Sequence, residues 1–246
     1  MSAPVTLIAD DVHVSFRVYE DGPSGLKQAF SAGRWRRPHR TVHAVRGVSF
    51  SLHQGETLGI IGSNGSGKST LLSALTGLLP LNLGSVRAVD RPRLLGVGAA
   101  LRPALSGYRN IVIGGLAMGM RLHEIEERMD SIVSFAELED CIDLPMRTYS
   151  AGMRARLTFA IATTQIPKIL LIDEALAVGD ARFKERSAQR LAEIREAAGS
   201  VILVSHNEGE ILRSCDRAIW LDRGQISAQG PAEETIEAYL AATRAD

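Results

Sequence analysis

The chain is poor in cysteine and in aromatic residues, and it has no long apolar run. Its 246 residues include two cysteines, Cys141 and Cys215, which are too few for a disulfide framework and favour a reducing cytoplasm. Residues 1–4 lack the basic region and apolar core of a signal peptide. The longest apolar runs are shorter than the ~20 residues that span a bilayer. We therefore expect contact with a membrane only at its surface, through a partner.

The overall charge is balanced, with 28 Lys and Arg residues against 28 Asp and Glu residues. The balance gives no indication of a nucleic-acid partner. Residues 22–55 are an exception, because they contain no acidic residue. Either they form a solvated basic loop, or they face anionic headgroups or a pyrophosphate with Trp35 at the interface. The basic residues of this segment are Lys27, Arg34, Arg36, Arg37, Arg40 and Arg46.

A glycine-rich loop at residues 62–70 lies between an apolar run typical of a strand and a segment typical of a helix. It matches the pattern G-x-x-x-x-G-K-[ST], whose backbone N–H groups surround phosphates. Lys68 is expected between the β- and γ-phosphates, and the Ser69 hydroxyl on Mg²⁺. The predicted ATP-binding residues are Gly62, Ser63, Asn64, Gly65, Ser66, Gly67, Lys68, Ser69 and Thr70.

Two further apolar runs end in polar side chains that suit the same site. The run 169–172 precedes Asp173 and Glu174, and the run 201–204 precedes Ser205 and His206. Asp173 suits Mg²⁺, Glu174 suits the attacking water, and His206 could donate a hydrogen bond to the γ-phosphate. The simpler interpretations are an acidic loop and a surface histidine. The phosphate loop favours the functional ones, because parallel strands end at one edge of a sheet.

Strand-like runs alternate with helical patterns in the second half of the chain. The runs 169–172, 201–204 and 218–221 are separated by helical stretches at 181–198 and 207–213, which predicts a parallel sheet. Residues 106–139 are predicted to be helical. A further helix is predicted to begin after Ser150, either as an ordinary capped helix or as one whose bare N-terminus, at Ala151 and Gly152, admits a phosphate.

Together these segments resemble the ATP-binding subunit of an ABC transporter over nearly the whole chain. The phosphate loop is followed in order by a signature motif at 149–153, an acidic strand at 169–174, a D-loop ending at Asp180 and a switch histidine, His206. The resemblance implies an α/β fold: a P-loop NTPase core with a mostly parallel sheet, an N-terminal antiparallel β subdomain and a helical signature lobe. Residues 1–246 would form one domain: a β region at 1–60 with a basic insertion at 22–41, a core at 61–98 and 165–230, a helical lobe at 99–164 and a C-terminal helix at 231–246.

The resemblance also implies the cofactors ATP and Mg²⁺, the latter bound by Ser69 and Asp173, and a homodimer. Lys68, Glu174 and His206 would be catalytic. Two copies would close around two ATP molecules, so that Ser150, Ala151 and Gly152 of one copy meet the γ-phosphate bound to the other. The aromatic ring that stacks on adenine is left open among Phe16, Tyr19 and His43.

Variant motifs narrow the resemblance to exporters of bacterial surface polysaccharides such as O-antigen, teichoic acid, capsule and galactan. Tyr-Ser-Ala-Gly-Met at 149–153 replaces the usual Leu-Ser-Gly-Gly-Gln, and residues 103–110 are similar to a segment of that group. This implies a separate integral membrane permease, a lipid-linked polysaccharide substrate, a peripheral position at the cytoplasmic face of the cell membrane and no nucleic acid. The alternatives are another ABC exporter, of lipids, drugs or peptides, and a soluble ABC ATPase.

One departure from the family concerns the glutamine that usually precedes the helical lobe and contacts Mg²⁺ and the membrane subunit. No glutamine occurs between Gln54 and Gln165, and residues 94–105 offer no acidic substitute. We expect water to complete the Mg²⁺ shell.

Overall fold

Two β-sheets and a group of helices make up the part of the chain that the computed structural model describes, residues 3–19, 39–95, 101–173 and 181–244. In chain order the elements are β1 (Val5–Tyr19), β2 (His39–His53), β3 (Thr57–Ile61), α1 (Lys68–Leu75), β4 (Leu83–Ala88), β5 (Arg93–Leu95), α2 (Gly107–Ala117), α3 (Leu122–Ala136), a 3-10 turn (Met146–Thr148), α4 (Ala151–Ala162), β6 (Ile169–Asp173), α5 (Ala181–Ala197), β7 (Ser200–Val204), α6 (Glu208–Ser214), β8 (Arg217–Asp222), β9 (Gln225–Pro231) and α7 (Ala232–Thr243).

The smaller sheet is antiparallel, with the strand order β2-β1-β4. β1 is continuous past a bulge at Asp11, which has a φ of 48°, and its pairing with β2 continues on either side of that residue. Leu7, Val12 and Val14 alternate toward the interior and are almost fully buried, as expected for strands with one face on the core.

The larger sheet has the order β5-β6-β7-β3-β8-β9 and is parallel except for β9, which runs antiparallel to β8. β3 is therefore flanked by β7 and β8, two strands from the far end of the sequence. Strands covered on both faces are apolar along their whole length, and every residue of β7 is buried. Leu71 and Leu72 of α1 belong to the cluster on one face, and Ile194 and Ile211 belong to the cluster on the other. The predicted α/β fold class is confirmed.

The register of the parallel strands brings three strand ends together. Val204 of β7 pairs with Ile60 of β3 on one side and with Asp173 of β6 on the other. The residues that follow these strand ends, including the phosphate loop and His206, therefore start from one edge of the sheet.

The helices α2, α3 and α4 share a core of their own, which includes the fully buried Ile111, Ile125 and Leu157. The helix predicted for residues 106–139 is two helices, because the chain turns at Gly119 with a φ of 80°. At the start of α3 the N–H of Arg121 donates to the Glu124 carboxylate at 2.7 Å, and this bond lowers the pKa of Glu124. The boundaries proposed for lobe and core stay a prediction.

None of the helices in the described ranges is both long and apolar enough to cross a membrane.

Candidate nucleotide-binding site

A cavity of about 650 Å³ opens where the loop between β3 and α1 faces β2 and the turn between β8 and β9. Six of the nine predicted ATP-binding residues line it, and they are Asn64, Gly65, Gly67, Lys68, Ser69 and Thr70. Asp173 and His206, each from a different strand end, line the same cavity. The structure thus brings together the loop, one acidic residue and the histidine that sequence reasoning had selected separately.

The Lys68 ammonium lies over the phosphate loop. It donates to the backbone carbonyls of Gly62 at 2.7 Å and Ser63 at 2.9 Å. Lys68 is also the first residue of α1, so the positive end of that helix faces the cavity. Both features favour an anion at this place.

The glycine at position 67 is required by close backbone contact. Gly67 has a φ of 107°, and a Cβ atom there would lie 2.3 Å from the carbonyl oxygen of Ala44. Only glycine accepts both the dihedral and the contact. The phosphate loop therefore presses directly against β2.

A third segment, the turn between β8 and β9, completes the wall of the cavity. The N–H of Gly224 donates to the Ser66 carbonyl at 2.8 Å, and the Arg46 N–H donates to the Gly224 carbonyl at 2.7 Å. The Arg46 guanidinium also donates twice to the carbonyl of Arg223, at 2.9 and 2.5 Å. Arg223 has a φ of 44°, so these bonds stabilise an unfavourable backbone conformation.

Basic side chains dominate the cavity. Arg40, Arg46, Lys68 and Arg223 line it, and Asp173 is the acidic residue among the described lining residues. A concave surface of one sign raises the local concentration of a ligand of the opposite sign, here a polyanion. Sequence reasoning missed Arg223, because Asp-Arg-Gly reads as an ordinary hairpin turn and only the fold brings it to the loop.

Ser69 and Asp173 meet at the cavity wall. The Ser69 hydroxyl donates to a carboxylate oxygen of Asp173 at 3.1 Å, and oxygen ligands of this kind suit Mg²⁺. Groups of three or more His, Cys, Asp or Glu that could hold a metal by themselves are absent from the described ranges. A hydroxyl and one carboxylate fit Mg²⁺, which commonly takes one or two protein ligands and completes its shell with phosphates and water.

Two predicted residues, Glu174 and Asp180, lie outside the described residues, as do Lys27, Arg34, Trp35, Arg36 and Arg37 of the basic insertion. Residues 96–100 of the segment that lacks the family's glutamine are also outside them. The end of that segment is organised by Asn110, which is fully buried. Its side chain accepts from the Arg102 N–H at 2.6 Å and donates to the carbonyls of Arg102, Leu105 and Ser106.

The three candidates for stacking on adenine stand differently. His43 lines the cavity. Phe16 lies directly across from Val42, itself a lining residue, and is 38% exposed. The side chain of Tyr19 is outside what the structure describes. The assignment stays a prediction, with His43 and Phe16 beside the cavity.

The predicted signature residues lie at the exposed N-terminus of α4, away from this cavity. The Ser150 hydroxyl accepts from the Met153 N–H at 3.1 Å and caps the helix. Ser150, Ala151 and Gly152 are exposed and are not among the residues that line the Lys68 cavity. This placement is compatible with the prediction that a second copy, and not the same chain, supplies them.

The unusual tyrosine of the signature segment has a structural role. Tyr149 is 3% exposed, lies in the core of the helical group and donates from its hydroxyl to the Cys141 carbonyl at 2.7 Å. Burial raises its pKa. The ring thus anchors the start of α4 to the preceding loop.

Comparison with known proteins identifies the relatives of this chain. Residues 45–177 match the family model described as ABC transporter. The chain is 41% identical over 239 residues to the O-antigen export system ATP-binding protein RfbB of Myxococcus xanthus. The matched region covers 94% of this chain and 55% of RfbB. It is 42% identical over 229 residues to the teichoic acids export ATP-binding protein TagH of Listeria monocytogenes, covering 92% of this chain and 68% of TagH. The chain therefore spans little more than half the length of RfbB.

Solved structures share the fold. An ATP-binding subunit of an ABC transporter superposes with a TM-score of 0.70 at 20% identity, covering 95% of this chain and 93% of the other. A dimeric ATP-binding cassette in a post-hydrolysis state, bound to ADP and phosphate, gives a TM-score of 0.67 at 21% identity, covering 92% and 98%.

Proposed function

The chain belongs to the ABC transporter family, and from this premise we propose that it is the ATP-hydrolysing subunit of an exporter for a lipid-linked cell-surface polysaccharide. The observation that carries the ATPase proposal is the contact between Ser69 and Asp173 inside the basic cavity beside Lys68. The names of RfbB and TagH, both export ATP-binding proteins for surface polysaccharides, support the substrate class.

Four described side chains, Lys68, Ser69, Asp173 and His206, and one residue outside the described ranges, Glu174, have a part in the proposed chemistry. Lys68 exchanges its bonds to the Gly62 and Ser63 carbonyls for bonds to the β- and γ-phosphate oxygens. Ser69 and Asp173 would hold Mg²⁺, which would supply positive charge beside those oxygens. His206 donates to the γ-phosphate, and Glu174 orients and deprotonates the attacking water.

Hydrolysis on this proposal needs a second copy of the chain. Ser150, Ala151 and Gly152 are exposed on the surface of one subunit, and the positive end of α4 is available to an anion. In a homodimer this helix end would meet the γ-phosphate bound to the partner subunit and complete its enclosure.

The membrane-bound permease is a separate subunit on this proposal, and the chain would lie peripherally at the cytoplasmic face of the cell membrane. An apolar groove of about 400 Å³ lies between β5 and the end of α2, and we assign it to the permease. Leu78 and Leu116, about half exposed, line it together with Arg91 and Arg93. It adjoins the segment where the family's glutamine is missing, so apolar contact would couple the two subunits there.

The variant Glu174→Gln tests the enzymatic proposal. It should bind ATP and dimerise, while hydrolysis falls by about 10²- to 10⁴-fold, the usual contribution of a general base. Glu127→Gln, the same change at an exposed position of α3, should leave turnover unchanged. Normal turnover in Glu174→Gln would remove that residue from its role.

Export is tested in cells that carry the chain with its permease. Loss of surface polysaccharide on deletion, restored by the natural chain and not by Glu174→Gln, supports the substrate class. Neutralising Arg34, Arg36 and Arg37 should lower export and leave ATP hydrolysis intact, and unchanged export would make the insertion a solvated loop. Co-purification with a permease that exports a lipid, drug or peptide would overturn the polysaccharide assignment.

A further inference from the structure

One carboxylate joins the signature helix to the helix that follows the acidic strand. Glu137 comes directly after α3, and its two oxygens accept from different helices. The Arg156 guanidinium of α4 donates to one oxygen at 2.8 Å, and the Arg186 guanidinium of α5 donates to the other at 2.5 Å. Arg156 and Arg186 therefore share a single counter-charge at the meeting point of three helices.

Aromatic rings mark the same meeting point. Phe135 of α3, Phe159 of α4 and Phe183 of α5 contact one another with ring centroids 5.6 to 5.9 Å apart. The Arg186 guanidinium lies 5.0 Å from the centre of the Phe135 ring, a distance at which a cation is attracted by the ring face. The ion pairs of Glu137 therefore lie next to a packed cluster of aromatic rings.

The other end of α4 is attached by the same two neighbours. Arg128 of α3 donates to the Thr164 carbonyl at 2.9 Å, and Arg190 of α5 donates to the Thr163 carbonyl at 3.1 Å. Between the two levels lies a cleft of about 920 Å³ lined by α3, α4 and α5. Around this cleft, α4 is held against α5 by the contact between Phe159 and Phe183 and by the arginine contacts at its two ends.

We propose that Glu137 is a positioning residue for ATP hydrolysis, acting through Arg156 and Arg186. α4 begins at the signature residue Ser150, and α5 begins shortly after Asp173 and Glu174. The Glu137 carboxylate therefore links α4, the helix that begins at the signature residues, to α5. The proposal rests on the proposed function, since it assumes that Ser150 and Gly152 meet the nucleotide of the partner subunit.

The charge of Glu137 is the essential feature. Arg156 is 17% exposed, and a guanidinium that loses its carboxylate in such a place seeks water or another acceptor. Glutamine has the same shape and still accepts a hydrogen bond, but it cannot balance two guanidinium groups. Glu137→Gln should therefore loosen α4 without opening a cavity.

The test compares Glu137→Gln with Glu193→Gln in the full chain. Glu193 pairs with Arg190 at 3.3 Å inside α5, so the control removes an ion pair within one helix, and Arg190 can still donate to the Thr163 carbonyl at the end of α4 through its other nitrogen. A misplacement of about 1 Å can cost about 100-fold in rate, and we expect kcat of Glu137→Gln to fall about tenfold. The dissociation constant for ATP should stay unchanged in both variants, because none of these residues lines the nucleotide cavity.

Hydrogen–deuterium exchange of the amides of residues 154–159 gives a readout independent of turnover. We expect these amides to exchange about tenfold faster in Glu137→Gln than in the natural chain, and at an unchanged rate in Glu193→Gln. Arg186→Gln, which breaks the link to α5 and keeps the Glu137–Arg156 pair, should reproduce both effects.

The outcomes separate the two proposals. If the natural chain shows no ATPase activity, the proposed function is overturned, and with it the role of Glu137 in hydrolysis. Natural chain with full activity, together with unchanged kcat and unchanged exchange in Glu137→Gln, would overturn the role of Glu137 alone. A fall in ATP affinity equal to the fall in kcat/KM would also overturn it, since a positioning residue acts after binding.

Discussion

The hydroxyl of Ser69 donates to the carboxylate of Asp173 at 3.1 Å, although 104 residues separate them in the sequence. Ser69 comes from the first turn of α1 and Asp173 from the end of β6. Each side chain offers an oxygen at the wall of a cavity whose other charged side chains are arginine and lysine. On the proposed function, these two oxygens would hold the Mg²⁺ that accompanies the nucleotide.

Replacing either member of this pair should remove hydrolysis. Ser69→Ala and Asp173→Asn are expected to lower kcat by at least about 100-fold, because charge on the terminal phosphate is no longer neutralised. Steady-state turnover against Mg²⁺ concentration measures the effect. Ser73→Ala is the matched control, since that hydroxyl donates to the Ser69 carbonyl within α1. Equal turnover in all four proteins would contradict the assignment of the metal ligands.

Gly67→Ala should abolish ATP binding and destabilise the chain. The new methyl group would lie 2.3 Å from the Ala44 carbonyl oxygen, so the loop or β2 has to shift. Gly77→Ala is the control, because Gly77 has a φ of 74° and nothing within 4 Å of its Cβ position. Both substitutions strain a positive φ at a cost of roughly 1–2 kcal/mol. We expect only Gly67→Ala to lower the free energy of unfolding in urea by more than this amount, and only Gly67→Ala to show no ATP binding in a titration.

Gly152→Ala should separate stability from activity. Within one subunit the methyl group meets only the Ser150 hydroxyl, at 3.8 Å, and alanine favours helix by roughly 0.5–1 kcal/mol over glycine. The midpoint temperature of thermal unfolding should therefore be unchanged or higher, while ATP-driven dimerisation and ATP turnover are lost. Gly230→Ala, whose methyl group likewise meets only a hydroxyl, that of Thr235 at 3.9 Å, should keep both stability and activity. Full activity of Gly152→Ala would show that no phosphate approaches this helix end.

Tyr149→Phe should lower stability and leave ATP binding intact. The variant removes the hydroxyl that donates to the Cys141 carbonyl, while the Leu144 N–H still donates to that carbonyl at 3.0 Å. The expected loss is therefore that of one hydrogen bond, about 0.5–1.5 kcal/mol. The free energy of unfolding from urea titration is the measurement. Tyr108→Phe, at a tyrosine that is 41% exposed, should change it by less than about 0.5 kcal/mol. The same loss in both variants would contradict the anchoring role of Tyr149.

Cys215 should resist alkylation until the chain unfolds. Burial raises its pKa to about 12, so at pH 8 the thiol is almost entirely protonated, and only the thiolate reacts. Modification by iodoacetamide, followed by peptide mass spectrometry, should be at least about 100-fold slower in folded than in urea-unfolded chain. Because the folded pKa is raised, the thiol stabilises the fold below its ordinary pKa, and this contribution is lost as pH rises toward 12. Equal rates in folded and unfolded chain would contradict the burial.

The local parts of the site could be predicted from sequence because each has its own chemistry. The phosphate loop needs glycines and a lysine in fixed order, and a buried strand that ends in Asp173 shows itself by its apolar run. Arg223 could not be found in this way, because its position depends on the contacts of Gly224 with Ser66 and of Arg46 with the turn. These contacts join three segments that are distant in sequence.

The secondary structure shows the same division between local and distant information. The single helix predicted for 106–139 was wrong because one glycine, Gly119, reverses the chain, and the apolar pattern continues across it. The order of the sheet, with β3 between β7 and β8, is invisible to periodicity. Local patterns report which face of a segment is buried, and they do not report against which segment it is buried.

The position of β3 has a consequence for synthesis. The strand emerges from the ribosome before the helices α2, α3 and α4, yet both of its neighbours and the turn at Gly224 are translated after them. Until β7 and β8 have been synthesised, both edges of the apolar strand β3 are unpaired and could pair with other chains. The Ser66 carbonyl of the phosphate loop also lacks its donor, the Gly224 N–H, until then. On the proposed function, the complete wall of the ATP site therefore forms only after β7, β8 and the turn at Gly224 have been synthesised.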